Sequence, residues 1–266
     1  MKKNYVIAVF VLFFVSSYLY AQTDLQSIDK LRSTFDASKF DGAIDFSGTI
    51  KDCNQIIEKY KNSRYLNEVY EIRAECYETM GDYDNAIGDY TTSISLKPES
   101  YRAYYYRALV YRKQKKFDEA IADLTSAVEK EMLVDSASCL SLDKRAEIYA
   151  EIGRLELALN DYTKEINICL ANIGKTMNKN TLPKIYGKRG ETYHKLKKYK
   201  EAIKDYSSAL DNSNNHYIYY PLKAESYFAL KKYKEAISDW ETAQKLIGFG
   251  KIYEGKIKEA KTKMNE

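Results

Sequence analysis

Apolar residues recur at helical spacing in short blocks along the chain, with polar residues between the blocks. Tyr70–Tyr77 and Tyr104–Tyr111 are two such blocks, which align without a gap from 70 to 104, a spacing of 34 residues. Each is followed by a second block with an alanine at the same place, Ala86 in one and Ala120 in the other. Apolar positions three to four residues apart are typical of amphipathic helices. The pattern therefore predicts pairs of helices that repeat along the chain.

The pair of blocks returns three more times, which places the five copies near 67–100, 101–134, 139–172, 183–216 and 217–250. Three positions keep their character throughout: position 8 is Ala74, Ala108, Ala146, Gly190 and Ala224, position 20 is Ala86, Ala120, Ala158, Ala202 and Ala236, and position 24 is Tyr90, Leu124, Tyr162, Tyr206 and Trp240. Small residues at two positions let helix backbones approach closely, and the large residue fills the space beside that contact.

These positions resemble those of the tetratricopeptide repeat (TPR) family over roughly residues 67–250. The resemblance implies an all-α fold, a right-handed α-solenoid of helix pairs with five clear repeats. Residues 22–66 would form a degenerate N-terminal repeat, because Lys39–Ile44 matches Lys116–Ile121 in residue type. Its first helix would present Leu25, Ile28, Leu31 and Phe35.

The C-terminal segment 251–266 is expected to be a capping helix, which an open end of a repeat array requires. Its apolar face would consist of Ile252, Ile257, Ala260 and Met264. The copies are not evenly spaced, and the extra residues between the third and the fourth include 174–183, which we expect to be a surface loop.

The composition is unusual in its aromatic residues: 26 Tyr against 9 Phe and 1 Trp. Most of the tyrosines fall at positions 4, 11, 17 and 24 of the copies. A tyrosine can bury its ring while its hydroxyl reaches a partner at the edge of a thin, two-layered array. We therefore interpret the tyrosines as core residues rather than as a stacking platform. Only 11 Gly and 3 Pro argue against a many-stranded β fold.

The first 21 residues have the character of a secretory signal peptide. Lys2 and Lys3 precede an apolar run from Tyr5 to about Tyr20, and Ala21 would be the last residue removed. This predicts an exported protein, periplasmic or secreted. The alternative is an uncleaved membrane anchor through residues 5–20, a length near the lower limit for spanning a bilayer.

Charge and chemistry exclude several function classes. The formal net charge is +4, of which Lys2 and Lys3 supply two, so the mature body is too close to neutral to predict nucleic-acid binding. His194 and His216 are the only histidines, and the sequence has no Gly-rich phosphate loop and no arrangement of nucleophile and base. We expect no enzyme and no cofactor.

Opposite charges recur at two further positions. Position 7 is Arg73, Arg107, Arg145, Arg189 and Lys223, and position 23 is Asp89, Asp123, Asp161, Asp205 and Asp239. One interpretation is a row of ligand-binding charges. The interpretation that we favour is a structural ladder of ion pairs, because the two helices of a pair bring these positions close together. The sequence leaves open whether each bond lies within a repeat or between repeats.

In the TPR family, positions 2, 5, 9, 12 and 13 of the first helix line the concave face, which we call the groove face. Its candidate binding residues here are Glu68, Glu71, Glu75, Arg102, Tyr105, Arg112, Asp143, Glu147, Glu191, Glu225 and Phe228. All the residues at these five positions of the five copies together include nine acidic and five basic ones, which favours a basic partner. The alternative is mutual neutralisation, with Glu68 and Glu78 beside Arg102 and Arg112.

Four cysteines, Cys53, Cys76, Cys139 and Cys169, allow two disulfides in an exported protein. Cys53–Cys76 and Cys139–Cys169 are the candidate pairs, because each is centred on a predicted turn; the alternative is four buried thiols.

Taken together, the sequence predicts an exported TPR scaffold or adaptor that binds a protein or peptide in its groove without catalysis. A membrane-anchored assembly factor is the alternative. An enzyme or carbohydrate-binding component would need a polar cluster outside the repeat positions, and the sequence offers none.

Overall fold

The computed structural model describes residues 23–39, 45–134, 139–172, 181–211, 217–248 and 250–266. Every regular element in these ranges is a helix. The chain divides into two compact units, Met1–Lys130 and Glu131–Glu266. The predicted all-α class with stacked helix pairs is confirmed. Residues 1–22 and 40–44, which include the signal or anchor segment and most of the Lys39–Ile44 match, lie outside the described residues.

The helices follow one another as consecutive pairs. They are α1 (residues 23–39), α2 (Phe46–Lys59), α3 (Leu66–Met80), α4 (Tyr83–Leu96), α5 (Tyr101–Lys113), α6 (Phe117–Val134), α7 (Leu140–Glu151), α8 (Leu155–Ala171), α9 (Thr181–Lys195), α10 (Tyr199–Asp211), α11 (Tyr219–Ala229), α12 (Tyr233–Ile247) and α13 (Glu254–Met264). Within each unit, a helix packs against the helices that precede and follow it, for example α4 against both α3 and α5.

The small residues make the closest contacts of each pair. The alanines at positions 8 and 20 have no exposed surface. Gly190 takes the place of alanine at position 8 in α9, where a Cβ atom would lie 2.8 Å from the ring of Tyr206. The rings at position 24, Tyr90, Tyr162, Tyr206 and Trp240, are at most 2% exposed, which confirms that these aromatic residues belong to the core.

Two sequence expectations need correction. Residues 174–180 of the expected loop 174–183 lie outside the described residues, but the chain is helical from Thr181. Pro183 lies buried in the first turn of α9, where a proline leaves no helical hydrogen bond unmade. In the C-terminal helix, Ile257 and Ala260 pack near Trp240, but Met264 is 42% exposed, and Ile252, which is 58% exposed, lies before the helix begins at Glu254. The apolar face of this helix is therefore narrower than the sequence pattern indicates.

The turn inside each helix pair places one residue, position 15, in the left-handed region. Gly81 and Gly153 have φ angles of 82° and 79°, whereas Lys115, Lys197 and Lys231 all have φ angles of 59°. Glycine adopts this region without the steric penalty that a Cβ atom brings.

We expect Lys197→Gly to raise the free energy of unfolding by about 0.5 to 1 kcal/mol, because it removes this penalty. Urea unfolding of the full chain measures the change. The reverse substitution, Gly153→Lys, serves as the control and should lower stability by a similar amount. A loss of stability in Lys197→Gly would contradict the prediction.

Candidate functional site

The charged positions 7 and 23 meet inside each helix pair. Four arginines each donate two hydrogen bonds to the aspartate on the second helix, with N···O distances of 2.6 to 2.9 Å: Arg73 to Asp89, Arg107 to Asp123, Arg145 to Asp161 and Arg189 to Asp205. All four aspartates are buried. Such two-point bonds between a guanidinium and a carboxylate are strong and directional.

The third nitrogen of the arginine reaches the preceding pair. Nη1 of Arg107 donates to Oγ1 of Thr91 at 2.9 Å, and Nη1 of Arg189 donates to Oγ1 of Thr163 at 3.1 Å. Both threonines lie on the second helix of the preceding pair, at position 25. One arginine therefore joins its own pair internally and also binds the pair before it, which the sequence left open.

In the fifth copy, which consists of α11 and α12, the corresponding contact is weaker. Nζ of Lys223 lies 3.3 Å from Oδ1 of Asp239, and Oδ2 of Asp239 is a buried atom without a hydrogen-bond partner among the described residues. Burial raises the pKa of Asp239, and Lys223 offsets only part of that effect. A lysine offers a single nitrogen and cannot replace the fork of a guanidinium.

In the first unit, the groove face forms a groove of about 320 Å³ between α1, α3 and α5. Its acidic residues are bound by basic residues of neighbouring helices: Glu68 by Arg32, Glu71 by Arg102 at 3.7 Å, Glu75 by Lys39 at 2.5 Å and Glu78 by Lys113 at 2.8 Å. The ion pairs that the structure gives to Glu68 and Glu78 are with Arg32 and Lys113, whereas the sequence places them beside Arg102 and Arg112. The arginine and lysine of α1 were missed, although they stand about one repeat length before Glu68 and Glu75.

Tyr105 and Phe228 are the aromatic members of the groove face. Both are half-buried. The ring of Tyr105 meets Tyr106 edge to face at 5.2 Å, and the ring of Phe228 lies 5.8 Å from Trp240. Each ring therefore has one side anchored in the protein and another that reaches the surface.

In the second unit, lysines at position 6 bind the acidic residues of the groove face. Lys188 reaches Asp143 at 2.5 Å and Glu147 at 2.7 Å, and Lys144 also binds Glu147. Burial opposes ionisation of Glu147, but the hydrogen bonds from these two lysines outweigh it and lower its pKa to about 2. Both lysines were missed by the sequence analysis, although their shared repeat position was a usable signal.

A buried carboxyl group, Glu165, lies behind this part of the groove face. It occupies position 27, where the other copies have Ser93, Ala127, Ala209 and Ala243. Glu165 is 3% exposed, and Oε2 has no hydrogen-bond partner among the described residues. Burial, with the nearby Asp143 and Cys169, raises its pKa to about 9. A large acidic residue at an otherwise small position was the sequence signal for this site.

All four cysteines are buried free thiols in the structure, so neither expected disulfide is formed in it. Cys139 and Cys169 share a hydrogen bond, and Cys139 also donates to Oε1 of Glu165 at 3.8 Å. Cys53 and Cys76 lie in the same apolar cluster, and burial raises the pKa of each thiol to about 12.

The two disulfides therefore stay a prediction for the exported protein. Because the thiols of Cys139 and Cys169 already touch, we expect non-reducing peptide mapping to recover a cross-link between their peptides. Protein prepared under reducing conditions is the control. Four alkylatable thiols in protein from an oxidising compartment would contradict the prediction.

The described residues offer neither a metal site nor a membrane-spanning helix. They contain no group of three His, Cys, Asp or Glu side chains that could hold a metal ion. None of the described helices combines the length and the apolar character that a membrane crossing requires.

Comparisons with known proteins agree with this geometry. Two family models, both described as tetratricopeptide repeat, match residues 74–131 and 183–216. Tetratricopeptide repeat protein 13 of Homo sapiens is 27% identical over 136 residues, which are 51% of this chain. The chain spans 14% and 37% of the lengths of the curated relatives that it matches.

Solved structures show the same fold. The C-terminal part of a TPR repeat-containing protein from Cytophaga hutchinsonii has a TM-score of 0.68 at 22% identity, covering 88% of this chain and 84% of its own. YrrB, described as a TPR protein with an unusual peptide-binding site, has a TM-score of 0.57 at 15% identity, covering 73% of this chain and 91% of its own.

Proposed function

This chain is a tetratricopeptide repeat protein, and from that premise we propose that it is an exported, non-catalytic scaffold that binds a peptide segment of a partner protein on its groove face. Stacked helical repeats of this class mediate protein interactions through extended surfaces of this kind. The proposal adds the compartment, the surface and the peptide nature of the ligand to that general role.

The observation that carries the proposal is the groove of the first unit. The first helices of three consecutive pairs, α1, α3 and α5, border a space of about 320 Å³. It is lined by Phe35, Tyr90 and Tyr106 as well as by charged residues. Such a surface is formed before the ligand arrives, so that less of the binding free energy is lost in ordering the protein. YrrB supplies a precedent for peptide binding on this fold.

Export rests on residues 1–21. The intact mass of the protein recovered from the producing cells tests it, because cleavage after Ala21 leaves Gln22 as the first residue. Retention of the whole segment would favour the alternative, a membrane-anchored assembly factor.

Selection of a phage-displayed library of random peptides on the full chain tests the binding function. Enriched peptides should bind about tenfold more weakly to Tyr106→Ala or to Arg102→Ala, since both residues line the groove and tyrosine and arginine anchors dominate such interfaces. Leu157→Ala is the matched control, because Leu157 is 47% exposed but lies on α8, a second helix. An absence of enriched peptides, or equal losses in all three variants, would contradict the function.

A further inference from the structure

Position 9 of the groove face is glutamate in four of the five copies: Glu75, Glu147, Glu191 and Glu225. Three of the four are bound by a lysine of a neighbouring helix, Glu75 by Lys39, Glu147 by Lys188 and Glu225 by Lys256. Among the described residues, Glu191 has no ion pair, and it is also the one member of the row that is exposed. The four glutamates are therefore not equivalent, although their repeat position is the same.

The repeat register explains the difference. Lys188 stands at position 6 of the fourth copy and reaches back to Glu147, at position 9 of the third. The corresponding residue of the fifth copy is Leu222, which packs beside Tyr206 and Tyr219 instead. The first helix of the next pair, α11, thus has an apolar residue at the repeat position from which a lysine of α9 binds Glu147.

The nearby cations do not compensate for this. Lys188 is engaged by Asp143 and Glu147, and Lys195 lies one turn further along α9. Although the Glu191 side chain as a whole is exposed, neighbouring atoms partly desolvate its carboxylate and raise its pKa, and the charges of Lys195 and Lys188 offset this only in part. A carboxylate in such surroundings gains more from an incoming cation than one that already holds a lysine.

We propose that Glu191 determines the partner specificity of the groove face by receiving a lysine or arginine side chain of the bound peptide. Leu222, half-buried at position 6 of the next copy, would supply apolar surface for the aliphatic stem of that side chain. Glu75, Glu147 and Glu225 are structural residues, whose charges the protein itself neutralises. The proposal rests on the proposed function, and it assigns the expected preference for a basic partner to one residue.

The same peptide library, selected in parallel on the full chain, on Glu191→Gln and on Glu225→Gln, tests this proposal. The unmodified chain and Glu225→Gln should both enrich peptides with a lysine or arginine at one fixed position, and Glu191→Gln should not. A synthetic, fluorescent peptide of the enriched sequence should bind Glu191→Gln about tenfold more weakly. Its binding to the unmodified chain should weaken as salt is added.

Leu222→Lys provides an independent variant, because it restores the lysine that the fourth copy has at this position. If its circular dichroism matches that of the unmodified chain, Leu222→Lys should weaken the binding of the same peptide as much as Glu191→Gln does. Enrichment of basic peptides on Glu191→Gln, or of peptides without a conserved basic residue on the unmodified chain, would overturn the proposal while leaving the proposed function intact. Failure to enrich any peptide would overturn both.

Discussion

Replacing Asp123 by alanine is expected to lower the free energy of unfolding by about 3 kcal/mol. The Asp123 side chain is 9% exposed and that of Arg107 is 16% exposed, and both oxygens of Asp123 accept hydrogen bonds from Arg107 at 2.7 Å. The substitution would leave a partly buried guanidinium without its counter-charge, which costs more than the loss of a solvent-exposed ion pair. Urea unfolding followed by circular dichroism measures the effect.

A double-mutant cycle separates the two contacts of Arg107. Arg107 and Asp123 should be strongly coupled, and Arg107 and Thr91 should be coupled by about 1 kcal/mol, the usual worth of one hydrogen bond. The hydroxyl of Thr91 donates to the carbonyl of Ile87 at 2.7 Å, which leaves its oxygen free to accept from Arg107. Thr91→Val removes the oxygen that accepts this bond, and Thr92→Val, on the neighbouring residue, is the control. Additive losses for Arg107 and Asp123 would contradict a structural ladder.

The second large effect concerns pH. Stability is expected to fall by several kcal/mol between about pH 5 and pH 9, because the pKa of Glu165 is raised to about 9 in the folded protein. Below the ordinary glutamate pKa both states hold the proton and Glu165 adds no pH dependence. Above it, the unfolded chain releases the proton while the folded protein retains it, so folding loses up to about 1.4 kcal/mol for each pH unit.

Glu165→Gln should remove this slope, because it keeps the shape of the protonated side chain. The groups that face Glu165 are Asp143, Cys139, Cys169 and Lys188, and all of them remain in the variant. Glu119→Gln, at an exposed position of α6, is the control and should change the profile little. An unchanged slope in Glu165→Gln, measured by denaturant unfolding at a series of pH values, would rule out this role.

The sequence predicted the helix pairs and their closest contacts because small residues at positions 8 and 20 determine sterically where two backbones can meet. It also placed Arg107 and Asp123 on facing helices. It did not predict which cation binds which groove carboxylate. A lysine stem is long and flexible, so Lys188 reaches both Asp143 and Glu147, and the choice depends on helix angles that repeat spacing does not encode.

The environment of Glu165 was also beyond the sequence. Position 27 is small in the other four copies, but the high pKa of Glu165 depends on its burial and on Asp143 and Cys169, which the packing of α7 against α8 brings close. The contact between Cys139 and Cys169 likewise depends on the register of these helices. Repeat spacing alone does not determine that register to better than about one helical turn.

The third nitrogen of Arg107 and that of Arg189 have a consequence for cooperativity. In a linear array, the free energy divides into a contribution from each repeat and a contribution from each joint between neighbours, as in a one-dimensional Ising chain. The bonds from Arg107 to Thr91 and from Arg189 to Thr163 belong to the joints. Lys223 has a single ammonium group. It cannot bind Asp239 and a residue of the preceding pair with the geometry that a guanidinium allows. The final repeat is therefore coupled less tightly to its neighbour, and opening of the array starts more readily there than at the joints that an arginine holds.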